Sequence, residues 1–187
     1  CTSLKKVIFP GNGVRFGQGV FFNCDKIQHV SFGSDWKSID LKMFRWSDSL
    51  STLTIPAKVE KIQNMKSLKK LERVSVDVNN ERFAAVNGVL YSKDQEILYG
   101  CPRAYKGTLR VAEGTAKITK RALIDCVELT CVDLPESLKT MSFKEFSRMA
   151  LLENIIFRGG KPILTAMCKG EGVFLLHVAN PKVEIVV

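Results

Sequence analysis

Few side chains of this chain are spaced to do chemistry. Its only histidines are His29 and His177, and among its six cysteines Cys126 and Cys131 stand closest, with four residues between them. A zinc site needs two ligand pairs at short spacing, such as Cys-x-x-Cys with a second pair, so this pattern argues against metal. The run from Gly11 through Gly13 and Gly17 to Gly19 has the glycines of a phosphate loop but lacks the closing Gly-Lys-Ser/Thr and the strand-loop-helix setting. Turn formation explains those glycines better. Glu128 and Asp133 could work as an acid and base only if an apolar pocket raised one pKa, and nothing in the flanking pattern builds one. Neither a Gly-x-Ser-x-Gly element nor a Ser/His/Asp constellation occurs. The expectation is a chain with no catalytic residue, no cofactor and no metal, and therefore not an enzyme.

What these residues belong to is a repeat. Leu4, Ile27 and Leu50 lie 23 residues apart, as do Phe9, Phe32 and Ile55, and the period resumes at Val111, Leu134 and Phe157. A fixed period of that size identifies a solenoid, in which one unit cannot bury its own apolar face and each coil depends on its neighbours. Within a unit, Leu-x-x-Val-x-Phe/Ile-Pro places its last apolar residues at period two, which predicts one short, half-buried strand per coil. A second apolar set follows as a return wall, comprising Val14 and Phe16, Val59 and Ile62, and Leu138 and Met141. Short helical or 3₁₀ turns are predicted around Val20 to Cys24, Met43 to Ser47, Ala122 to Cys126 and Phe146 to Met149. Cys1, Cys24 and Cys126 occupy one repeat position, which Ser47 takes in the third coil, so they are expected to be free thiols, the latter two buried. Cys131 on a strand and Cys101 on the insertion are the expected reactive ones.

Between Val76 and Val111 the chain spends 35 residues instead of 23. The surplus, at about residues 77–107, predicts an inserted β-hairpin whose apolar runs flank the polar turn Lys93 to Glu96 and which projects from the coil edge. Beyond Phe157 the period loosens, and about 158–187 is expected to cap the last coil. Cys1 already sits on the repeat's Cys position, so the chain is expected to be a fragment of a longer array.

The Ile55-Pro56 and Leu134-Pro135 strand ends, the Phe21-x-x-Cys24 element, and Asn80-x-x-Phe83 followed by Asn87-Gly88-Val89-Leu90-Tyr91-Ser92 together resemble the BspA-like leucine-rich repeats of bacteria and protists. That resemblance covers most of residues 1–157. It implies an α/β, right-handed leucine-rich-repeat solenoid with a single parallel sheet of short strands, spanning 1–187 as one domain. It also implies a cell-surface or secreted protein of a host-associated microbe that acts in adhesion, with a host matrix or cell-surface protein as partner.

Strand geometry then nominates a partner-binding face. Side chains between the buried positions point outward, giving one column of Lys6, His29, Thr52, Arg73, Thr108, Cys131 and Asn154, and a second of Ile8, Ser31, Thr54, Ser75, Arg110, Asp133 and Ile156. Net charge offers an alternative. The chain carries +9, and residues 1–76 hold 13 Lys/Arg against 6 Asp/Glu while the rest hold 15 against 13. A basic surface attracts polyanions such as sulfated glycans or nucleic acid, and Lys66, Lys69, Lys70 and Arg73 are the densest group. Solvated lysine on a repeat edge is the commoner meaning of such charge. A structural spacer is the third reading. No apolar run approaches the length of a membrane span.

Overall fold

A computed structural model describes residues 1–11, 20–146, 148–159 and 184–186. The first coils supply β1 (Lys6–Phe9), β2 (His29–Phe32), the return strand β3 (Ser38–Asp40), β4 (Thr52–Ile55), the return strand β5 (Lys61–Gln63) and β6 (Arg73–Val76). The surplus segment forms β7 (Phe83–Val86), β8 (Val89–Ser92) and β9 (Ile97–Gly100). Regular coils resume with β10 (Gly107–Arg110), the return strand β11 (Lys117–Ile118), β12 (Leu129–Leu134), β13 (Asn154–Phe157) and β14 (Glu184–Val186).

The repeat period sets the register. Val7 pairs with Val30, Leu53 with Val74, and Leu109, Val132 and Ile155 align in turn, all in parallel. Hydrogen-bonded ladders join β1 to β2, β4 to β6, and β10 through β12 and β13 to β14. The return wall, legible in the sequence only as an apolar set, is itself partly a second parallel ladder. Ile39 pairs with Ile62 between β3 and β5, Ile118 with Leu98 between β11 and β9, and Lys117 bridges to Thr140. 3₁₀ helices form at Leu41–Phe44 and Phe143–Phe146, ahead of the turns expected at Met43 to Ser47 and Phe146 to Met149 and overlapping them only at their ends, with another at Met65–Ser67. Val20 to Cys24 and Ala122 to Cys126 turn without a helix. The Asp40 carboxylate accepts from the Lys42 N–H at 3.0 Å and from Asn64 Nδ2 at 2.8 Å, so one side chain caps its own turn and ties it to the next coil.

Entry to three of the units runs through a left-handed residue. Asn23, Trp46 and Asp125, each one position before Cys24, Ser47 and Cys126, have φ of 55°, 68° and 66°. Asn and Asp adopt that conformation several-fold more readily than other non-glycine residues. Trp46 has no such advantage.

Two apolar clusters fill the interior. One gathers Val7, Phe9, Ile27, Phe44, Leu53 and Leu71 with others of the first coils, and the second gathers Leu109, Leu129, Val132, Phe146 and Ile155 with others of the later ones. The insertion is the seam between them. Phe83 and Leu90 pack into the first cluster while Val89, Tyr91, Leu98 and Cys101 pack into the second.

The expected hairpin about Lys93 to Glu96 is present as the antiparallel pair of β8 and β9, and it extends into a three-stranded meander because Asn87-Gly88 turns the chain back from β7. Its expected projection from the coil edge is not observed. All four residues of β8 are buried, and the Val74 N–H, at the edge of β6, donates to the Gly88 carbonyl at 2.8 Å. The meander thus occupies the ladder position after β6, which is why no strand pairs β6 with β10 among the described residues. Gly88 is needed there: its φ is +85°, and an added Cβ would lie 2.9 Å from Arg73 Cγ. The return-wall residues Val14 and Phe16 of the first coil, the glycines Gly13 to Gly19, His177 and most of the expected cap at 158–187 lie outside the described residues.

Candidate functional site

Parallel pairing brings the outward side chains into the columns that alternation predicts. Lys6 stands opposite His29 and Ile8 opposite Ser31; Thr52 faces Arg73 and Thr54 faces Ser75, the last pair linked through their hydroxyls at 2.9 Å. In the later ladder Thr108, Cys131 and Asn154 form one row, and Arg110, Asp133 and Ile156 the other. In the first four coils these residues are all exposed, including Ile8 at 58%. The Arg73 stem rests against Gly88, so its guanidinium is carried on a supported base.

The later coils differ. Asp133 is only 4% exposed and forms ion pairs with Arg110 at 3.2 Å and with Arg158 at 2.5 Å, and Arg158 also pairs with Glu113. Arg158 stands where other units carry Pro, and its pKa is held above the usual arginine value chiefly by the hydrogen bond to Asp133. Asp133 and Arg110 therefore form a structural clamp across coils, with Asp133 unavailable as a contact. Cys131 is half-buried, and its thiol pKa is pushed up first by burial and then by the neighbouring Asp133 charge.

Cys101 corrects an expectation: it is buried, not reactive, and burial holds its thiol well above the ordinary range, reinforced by Cys126. Cys24 and Cys126 are buried free thiols, as their repeat position predicts, and Cys1 is exposed. Their role exceeds filling. The Cys126 thiol donates to the carbonyls of Cys101 and Pro102 at 3.6 and 3.5 Å, and the Ser47 hydroxyl donates to the Phe21 carbonyl of the preceding coil at 2.7 Å. A small donor is what the position selects, which is why Ser substitutes for Cys.

A second surface, on the side of the 3₁₀ turns, concentrates charge. A cleft of about 500 Å³ is lined by Lys42, Arg45, Lys66, Lys69 and Arg103 around Trp46, with Asp125 its one carboxylate. An adjoining cleft of about 490 Å³ shares Lys66 and Arg103 and adds Lys61, Arg82 and Arg121 against Glu60. Of the expected basic group, Lys66 and Lys69 line this surface, while Lys70 is an exposed turn residue and Arg73 belongs to the strand face. Sequence density missed Lys42, Arg45 and Arg103 because they come from different coils; laying the basic residues on the repeat period is the signal that collects them.

Among the described residues, no group of three His, Cys, Asp or Glu is placed to hold a metal ion, and no helix is long and apolar enough to cross a membrane.

The architecture is a leucine-rich-repeat solenoid, and residues 1–84 and 95–168 match the family model of the BspA type leucine rich repeat region in six copies. The chain belongs to that family. Among solved structures it is similar to the pneumococcal vaccine antigen PcpA, at 27% identity and a TM-score of 0.58 over 82% of this chain and 45% of that one. It is also similar to a leucine-rich repeat protein from Eubacterium ventriosum, at 21% identity and a TM-score of 0.63 over 84% of this chain and 48% of the other. A leucine rich cell surface protein from Faecalibacterium prausnitzii shares the fold at 15% identity and a TM-score of 0.50, over all of this chain and 60% of that one. This chain thus spans about half the length of the structures it matches. No curated protein matches it.

Proposed function

We propose that this chain is a non-enzymatic adhesive module of a cell-surface or secreted protein, and that the outward strand face of its first four coils takes a protein partner such as a host matrix or cell-surface protein. One observation carries the reading: eight side chains, from Lys6 and Ile8 to Arg73 and Ser75, stand exposed in two columns. Such a face, mixing small hydroxyls, one aliphatic residue, an imidazole and a supported guanidinium, offers area and specificity without a cavity. Interfaces concentrate their energy in a few anchors, among which Arg is enriched. The pneumococcal relative is described as a vaccine antigen, which supports exposure at a cell surface. The test is equilibrium binding of the purified chain to a panel of immobilised extracellular-matrix proteins at 0.15 and 0.5 M salt. The reading expects saturable binding to at least one of them that persists at the higher salt. Absence of saturable binding across the panel, or binding abolished by salt, contradicts it.

A further inference from the structure

We infer that the basic cleft on the 3₁₀ side is an anionic-saccharide site, separate from the strand face, in which Trp46 is the platform for a sugar ring and Lys42, Lys66 and Lys69 hold its sulfate or carboxylate groups. Charge is the first observation. The two adjoining clefts collect eight Lys/Arg against two carboxylates, whereas the whole chain balances 28 against 19. One of the two carboxylates is already engaged, since Asp125 pairs with Arg148 at 2.7 Å and with Arg103 at 3.7 Å. A concave surface with one sign of charge focuses its field and draws in counter-charged ligands.

The second observation is Trp46 itself. At the repeat position that takes a left-handed backbone in three coils, the chain places Asn23 and Asp125 in two of them, the residue types that tolerate it. In the coil beside the cleft it places a tryptophan at φ 68°, 39% exposed. A bulky residue there carries a backbone cost of about 1–3 kcal/mol and leaves much of its indole in water, so folding alone does not select it. Its ring is electrostatically prepared instead. Lys69 Nζ stands over the ring at 3.9 Å from its centroid and Arg45 Cζ lies 5.5 Å from it, so the indole carries two cations against its π-system, with Lys69 also paired with Asp48 at 3.4 Å. A partly exposed indole that carries cations presents apolar and positive surface together, matching the mixed surface of a charged sugar: apolar C–H faces with anionic substituents at the rim.

A polynucleotide also carries anions and stacking rings, but single-strand binding relies on successive aromatic platforms. Here the other exposed aromatic of the clefts, Tyr99, packs edge-to-face against Phe83 at 5.6 Å, so Trp46 serves one ring, not a series.

The test uses a heparin-derived oligosaccharide, a desulfated and N-acetylated counterpart, hyaluronan and a poly-dT strand as probes, titrated by calorimetry at 0.15 M salt. Three variants accompany the wild type: Trp46→Asn, which places a residue suited to the left-handed backbone, Lys42→Glu/Lys66→Glu, and Lys5→Glu/Lys26→Glu, two exposed lysines outside both the clefts and the strand columns, as a control. The inference expects at least one of the three saccharides to bind, a loss of at least tenfold in Trp46→Asn with the melting temperature unchanged or raised, loss in the cleft double variant, and no more than a twofold change in the control. Poly-dT binding as tightly as the best saccharide overturns it, as does full affinity in Trp46→Asn, equal losses in the two lysine double variants, or no binding to any saccharide. None of these outcomes bears on the protein-binding strand face, which is probed with a different ligand.

Discussion

Asn80 shows how a single side chain holds two parts of this molecule together. It is fully buried, donates from Nδ2 to the carbonyls of Pro56 and Val59 at 2.8 and 3.0 Å, and accepts at Oδ1 from the N–H groups of Arg82 and Phe83 at 2.9 and 2.7 Å. Both N–H donors and both oxygen lone pairs of the amide are matched, which ties the end of the third coil to the start of the meander. Asn80→Ala should therefore cost about 2–4 kcal/mol, because four backbone groups lose partners in a site without water access; a denaturation midpoint within error of wild type would contradict this. The Asn80-x-x-Phe83 spacing was legible in the sequence as a motif, but its hydrogen bonds were not, since they depend on which carbonyls the preceding coil presents. The cysteines divide the same way. Repeat position places Cys24 and Cys126 inside, while Cys101 belongs to an insertion outside the repeat period, so its burial has no signal in the spacing. Native alkylation followed by mass spectrometry should label Cys1 fastest, Cys131 slowly, and Cys24, Cys101 and Cys126 only after unfolding; rapid native labelling of Cys101 would overturn its assignment to the core.

The β7–β9 meander is the element on which the two halves of the core depend. It was legible as β structure from its alternation and its turn residues, yet its place was not, because a fully buried strand and an excursion both appear in sequence as an apolar run between polar turns. Tyr91 on β8 is fully buried, and its hydroxyl accepts the Ala112 N–H of the next coil at 3.2 Å. Excision of residues 83–102 should therefore abolish cooperative unfolding altogether, and a deletion variant with wild-type melting would show the element to be dispensable. Burial raises the Tyr91 pKa from 10.0 to about 12, opposed only in part by the Ala112 hydrogen bond. A raised folded-state pKa means that the stabilising difference is complete below the unfolded value and is lost as pH rises through the folded one. Stability should therefore fall across pH 10 to 12, Tyr91 accounting for about 2–3 kcal/mol of the decline. In Tyr91→Phe, measured by denaturant titration at several pH values, that part of the decline should disappear; an unchanged pH slope would place the titration elsewhere.

At the scale of the whole molecule, the repeat motif located the strands about Val7, Val30, Leu53, Val74, Leu109, Val132 and Ile155 even where the 23-residue step shortens or is interrupted, because a solenoid repeats one local solution. Function was less legible for the opposite reason. The strand columns follow from alternation, but two of their later members, Arg110 and Asp133, are tied into a clamp with Arg158, and the basic cleft assembles from turns that the sequence keeps far apart. The central claim is that the free outward face of the first four coils is the protein-binding surface. It is tested most directly by comparing the dissociation constant for a matrix-protein partner between the wild type and the variant Ile8→Glu/His29→Glu/Arg73→Ala, with circular dichroism confirming an intact solenoid. Each substituted side chain is exposed, so folding should be preserved. The account predicts a loss of affinity of at least a hundredfold, as expected when central anchors are replaced by charge or truncated. Wild-type affinity in a folded triple variant would contradict it and move the binding surface elsewhere on the molecule.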